Sequence, residues 1–141
     1  MLADHEWVED GTLVGHEILW RGVTPGQTEA DTAGHVIPVE GVFRSQEVSM
    51  NVAGETSAAA VIDKLSRDGA GPFRLWAVTV KQIRDAGGII VRWNDDGDES
   101  HVIIGRKDKP GARVPGGLAT KLRRNGYWED EGPPPGAGAD P

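Results

Sequence analysis

Four side chains in this sequence, Arg21, Ser49, Glu99 and His101, have the types and surroundings to do chemistry. Arg21 follows Trp20 at the end of a strand-like run, where its guanidinium can clamp a carboxylate or phosphate through two parallel N–H donors. Ser49 alternates with Glu47 along EVSMNV, so a hydroxyl and a carboxylate share one strand face and can hydrogen-bond the ribose or amide of a ligand. His101 opens the run HVIIG with a side chain that titrates near neutrality. Glu99, two residues earlier, supplies a carboxylate beside that candidate general base. Each feature also has a plain alternative: a solvated arginine after a buried tryptophan, an exposed strand face, and two strand neighbours.

More specific signatures are missing. The sequence contains no GxxxxGK[ST] or GxGxxG, so it lacks a strong phosphate-cradling loop. There is no HExxH and no GxSxG, and the histidines (His5, His16, His35 and His101) are too dispersed to suggest metal-ligand spacing. The absence of cysteine removes disulfides, thiolate metal sites and a Cys nucleophile together. No metal and no cofactor is therefore expected.

Charge and aromatic content suggest binding. The formal net charge is −7, which opposes non-specific attraction of nucleic acid to the whole surface. Yet Arg106, Lys107, Lys109, Arg113, Lys121, Arg123 and Arg124 face only one acid, Asp108, within a short stretch. Contacts between such a segment and phosphates would weaken steeply with salt, although a basic loop and a basic helix end are often simply solvated. The chain also holds five tryptophans, and Trp and Arg are enriched at binding hot spots. Candidate binding residues are Trp20, Phe43, Arg106, Lys107, Arg123 and Arg124. The favoured expectation is a small interaction or regulatory module, accessory or antitoxin-like, whose partner is another protein. Alternatives are a nucleotide-directed enzyme and nucleic-acid binding through residues 106–124.

These residues must be positioned by short elements, because 20 Gly and 9 Pro among 141 residues imply many turns. Strands are predicted over 13–20, within 36–43, and over 47–52, 73–78, 89–93 and 101–105. A helix is expected from about residue 57 to 67, with Thr56 or Ser57 as N-cap and Ala58, Val61, Ile62 and Leu65 as its buried stripe. Thr79 is suited to cap a second helix, and LATKLRR reads as a third. Residues 21–35 read as a long loop. The resulting class is α+β, with a small, largely antiparallel sheet and two to three short helices. Residues 1–12 are expected to be a flexible arm, pinned if at all by Trp7 and Val8. A single domain spans 13–128, and an acidic Gly/Pro-rich tail over 129–141 is expected to be disordered. The N-terminus lacks the basic and apolar regions of a signal peptide and no run is long enough to cross a bilayer, so a cytoplasmic protein without membrane contact is expected.

The run WRGVTPGQTEADTAGHVIPVEGVFRSQEVSMNV, followed by TVKQIRDAGGIIVRW and HVIIGR, resembles a group of small uncharacterised bacterial proteins. That group pairs an opening [LI][WY]R-x-[IV]-x-P with a later F-x-x-x-x-x-S-V element and ends on an H-x-x-I-x-G strand. The resemblance covers roughly residues 18–125 and departs at Gly22 and Asn94. It implies one stable domain and carries no activity. The order Arg21, Ser49, Glu99 is also similar to that of ADP-ribosyltransferase-like domains. That likeness implies an Arg on NAD phosphates, a Ser bracing the Arg or the nicotinamide ribose, and a Glu on the ribose 2′-hydroxyl.

Overall fold

The computed structural model describes residues 7–45, 47–67, 69–93, 97–109 and 112–134. The alternating runs form β1 (Ile18–Val23), β4 (Val48–Val52), β5 (Arg74–Thr79), β6 (Gly88–Arg92) and β7 (His101–Arg106), with short β2 (Thr28–Ala30), β3 (Val36–Pro38) and β8 (Tyr127–Trp128) between and after them. Among the described residues there are three α-helices: α1 (Ala58–Leu65), α2 (Val80–Asp85) and α3 (Gly116–Asn125). Six strands make one sheet in the order β6-β7-β4-β1-β5-β8, and β2 and β3 make a separate hairpin. All pairings are antiparallel. The fold is α+β with a small antiparallel sheet and three short helices. Among the described residues, no helix is long and apolar enough to cross a membrane.

Strand register assigns every side chain to a face, because alternate residues project oppositely. Leu19 pairs with Val52 and Val78, and Met50 with Val102, so these residues share the inner face. There they meet Val80 and Ile83 of α2, Leu118, Ala119 and Leu122 of α3, and Val42 and Phe43 of a 3₁₀ turn at Glu40–Phe43. The helices start where their sequences allow. Ser57 accepts a bond from Ala60 N, and Thr79 with Gln82 forms a reciprocal capping box that satisfies N–H groups otherwise orphaned at a helix start. On the outer face Gly22 leaves room for Leu65 of α1, while Trp7 lies against Gly105 and packs with Ile89, Val91 and Ile103.

Several boundaries differ from the sequence reading. The first strand runs Ile18–Val23 rather than 13–20, because cross-strand pairing with β5 carries it through Arg21 and Gly22, which read locally as loop. β5 is buried on both faces from Leu75 to Val78, since α1 covers the side opposite the core. The expected long loop contains β2, closed onto β3 by Asp31, whose carboxylate accepts from the backbone N–H of Ala33 and His35, and by Gly34 at φ 84°.

The two ends of the chain also hold more structure than their composition suggests. Residues 7–13 cross the β6 edge, from Trp7 on one face (7% exposed) to Leu13 in the main core, and Val8 points to solvent. Glu129–Glu131 is a 3₁₀ turn in which Asp130 and Glu131 bind Arg74. Residues 1–6 and 135–141 lie outside the described residues.

Gly126, between α3 and β8, is the tightest junction of the core. A Cβ there would meet Trp76 Cε2 at 2.6 Å and Ala77 O at 2.7 Å, whereas one on Gly54 meets nothing within 4 Å. Gly126→Ala is expected to lower unfolding free energy by about 2–3 kcal/mol through overpacking, and Gly54→Ala by less than about 0.5 kcal/mol. Urea denaturation of the two variants measures both.

Candidate binding cleft

A cleft of about 1050 Å³ opens at the β8 edge of the sheet. Its walls are the β2–β3 hairpin, the C-terminal turn of α3, and the segment from Tyr127 to Pro134, with Arg74 and Trp76 below. The hairpin's own bonds fall at Gln27–Val39 and Asp31–His35, so the carbonyls of Val36 and Pro38 point away from β2. Trp128 Nε1–H donates to Val36 O at 2.8 Å, and Arg123 Nε–H donates to Pro38 O at 2.7 Å. Side chains of α3 and β8 thus dock the hairpin by its backbone edge. Trp76 Nε1–H reaches back to Leu122 O at 2.9 Å, and the rings of Trp76 and Trp128 meet edge to face with centroids 4.9 Å apart.

The charges of the cleft are largely matched in place. Arg123 pairs with Glu29. Arg74 lies 4.2 Å over the Trp128 ring and binds Asp130 in a two-pronged contact at 2.6 and 2.7 Å. That contact raises the guanidinium pKa and lowers that of the Asp130 carboxyl. Burial, with Glu129 nearby, raises the Tyr127 phenol. Arg124 on the rim has no carboxylate partner among the described residues, and Val36, on the hairpin wall, is 52% exposed. The lining offers an ordered frame, an apolar side chain and one open cation.

The residues singled out in the sequence do not meet at one place. Arg21 belongs to the inner face, where Nε–H donates to Val42 O at 3.1 Å and Nη1–H to Ser49 O at 3.0 Å. It fills the gap where β1 and β4 part after their two paired positions, and burial lowers its pKa. The Ser49 hydroxyl is on the outer face, exposed and opposite in direction to Arg21. Glu99 is exposed in the turn before β7, and its backbone carbonyl accepts from Arg92 Nη1 at 2.9 Å. His101 is half-buried on the outer face, with Nδ1–H directed to Trp93 O at 2.7 Å. Arg21 and Ser49 meet only through a backbone carbonyl, so the arrangement of an NAD site is not assembled by these side chains.

Of the binding candidates, Arg123 and Arg124 line the cleft and the others lie elsewhere. Phe43 is fully buried in the core, and Trp20 is half-buried on the outer face. Arg106 pairs with Asp108, while Lys107 is exposed. Trp7, Trp76 and Trp128 are buried and Trp20 and Trp93 half-buried, so no joint tryptophan surface exists.

Sequence reasoning missed a second polar cluster. Asp98 Oδ2 receives Lys64 Nζ at 2.9 Å and Asn51 Nδ2 at 2.8 Å, and its Oδ1 accepts from Ser100 Oγ at 2.6 Å. Asn51 and Ser100 are buried. The one local hint was Asn51, a short polar residue set between the core residues Met50 and Val52. Partial burial would raise the Asp98 pKa, but the bonds from Ser100 and Lys64 outweigh it and hold the carboxyl well below its ordinary value. Among the described residues, no group of three or more His, Asp or Glu is placed to hold a metal ion.

No known family model, curated protein or solved structure matches this chain.

The depressed pKa of Asp98 sets a sign for its pH dependence. Its contribution is complete above the unfolded carboxyl pKa of about 4 and is lost as pH falls toward the lower folded value. Asp98→Ala is therefore expected to cost about 2–3 kcal/mol near neutral pH. The gap from wild type should shrink steadily below about pH 4, as read from urea midpoints across pH.

Proposed function

We propose that this chain is a cytoplasmic protein-recognition module, and that the cleft at the β8 edge takes an extended segment of its partner. The supporting observation is the frame itself: a cleft of about 1050 Å³ in which the indoles of Trp76 and Trp128 and the guanidinia of Arg74 and Arg123 are already fixed by backbone carbonyls and carboxylates. Pre-ordered side chains lose little entropy on binding, which favours recognition. The open features are exposed Val36 and Arg124, which has no carboxylate partner among the described residues, so the fitting segment carries an apolar side chain and a carboxylate. Its chemistry is that of a peptide.

Panning a random peptide library on the full chain tests this reading. Recovered peptides should lose roughly tenfold or more in affinity, over 1.4 kcal/mol, for Val36→Asp and for Arg124→Glu. Peptides indifferent to both substitutions would remove the cleft as the recognition site.

A second reading, binding to nucleic-acid phosphates, is favoured by a separate observation. Of the basic residues in 106–124, Arg106 and Arg123 are ion-paired and Arg113 donates to Arg44 O, but Lys107, Lys109, Lys121 and Arg124 are exposed without a carboxylate partner among the described residues. Four such contacts predict a slope of about −3 for log affinity against log salt with a single-stranded oligonucleotide. Absent or salt-insensitive binding eliminates it.

A further inference from the structure

The edge strand β6 is handled unusually. Its odd-numbered residues bond β7, as Trp93 N to His101 O and Lys107 N to Gly87 O show, so Ile90 directs its N–H and C=O outward. Both are occupied by the N-terminal arm. Asp10 N–H donates to Ile90 O at 2.8 Å, and Ile90 N–H donates to Glu9 Oε2 at 2.6 Å. The first is a strand-type bond, and in the second a carboxylate stands where a neighbouring strand would place its carbonyl. The edge is therefore competent for pairing and currently closed by a segment with only partial strand character.

The arm also covers an apolar patch. Trp7 lies over Ile89, Val91, Ile103 and Gly105, where its indole N–H is buried without an acceptor among the described residues. Its other holds are electrostatic: Arg84 binds Glu9 at 3.2 Å and Asp10 O at 3.0 Å, and Arg92 binds Asp10 at 2.9 Å. An unsatisfied donor weakens the grip of the one apolar anchor before Leu13.

We propose that the β6 edge is a self-association surface kept closed by residues 7–12, and that the partner it fits is a second copy of this chain. The strand's pattern is self-complementary. Antiparallel pairing centred on Ile90 lets the two Ile90 residues exchange both backbone bonds across a two-fold axis. The same register sets Ile89 of one copy against Val91 of the other, joining the two uncovered patches into one apolar strip. Gly88, which has no side chain, comes opposite Arg92. A tethered arm competes at the high effective concentration of an intramolecular contact, so the closed monomer prevails while the arm is intact.

The experiment uses the full chain with Trp7→Ala and Glu9→Ala together, since both residues lie outside the main core and Leu13 is retained. Mass by light scattering and exchange of the Ile90 amide are read across a concentration series. The expected result is a wild-type monomer and a variant of doubled mass with Ile90 still protected. Adding Val91→Lys should return the monomer and speed Ile90 exchange by roughly tenfold or more. A variant that stays monomeric with Ile90 exposed at every concentration would overturn the proposal, as would a dimer indifferent to Val91→Lys. If the double substitution unfolds the chain, Glu9→Gln alone is judged by the same two readouts.

Discussion

Two indole N–H groups connect parts of this molecule that lie far apart in sequence. Trp76, in the sheet, donates to Leu122 at the end of α3, and Trp128, in β8, donates to Val36 on the hairpin. Their rings touch edge to face, so helix, hairpin and terminal strand are oriented from one contact. A tryptophan suits this position because it fills volume with its ring while presenting one directional donor. Gly126 follows from the same contact, since a side chain there would occupy the space of Trp76. The cleft is what remains between elements whose distances these two bonds set.

The sheet has two edges, and the chain treats them differently. At β8 the edge strand is only two residues long and is followed by a turn whose acids hold Arg74. At β6 the N-terminal arm lies along the strand, using a backbone N–H and a carboxylate in place of a full ladder. Short edges and covered edges both prevent unplanned pairing. Only the second kind can be uncovered without dismantling the sheet, because Trp7 belongs to a small satellite cluster apart from the main core.

Arg21 illustrates how a chemically suggestive residue is absorbed by the fold. A guanidinium entering the core must have its N–H donors satisfied, and the carbonyls of Val42 and Ser49 provide acceptors where β1 and β4 diverge. It thereby ties the 3₁₀ turn at Glu40–Phe43 to the centre of the sheet. The cluster of Asp98, Lys64, Asn51 and Ser100 does comparable work on the outer face, linking α1, β4 and the turn before β7. Both are cross-links between distant segments.

Local pattern was enough to find α2 with its Thr79 cap, the inward set Val48, Met50 and Val52, and the α+β class, because capping and side-chain periodicity act over a few residues. It was also enough to place Arg123 and Arg124 on a terminal basic helix. It could not carry β1 past Trp20, since what makes Arg21 and Gly22 strand residues is their pairing with Trp76 and Leu75, more than fifty positions away. Nor could it order the segment around Glu9, which is acidic and polar by composition and acquires its place only when Arg84, Ile90 and Arg92 converge beside it. The direction of Arg21 was undecidable for the same reason. Each strand alternates on its own, but which face becomes the core is chosen by register between strands, and register is a property of the assembled sheet.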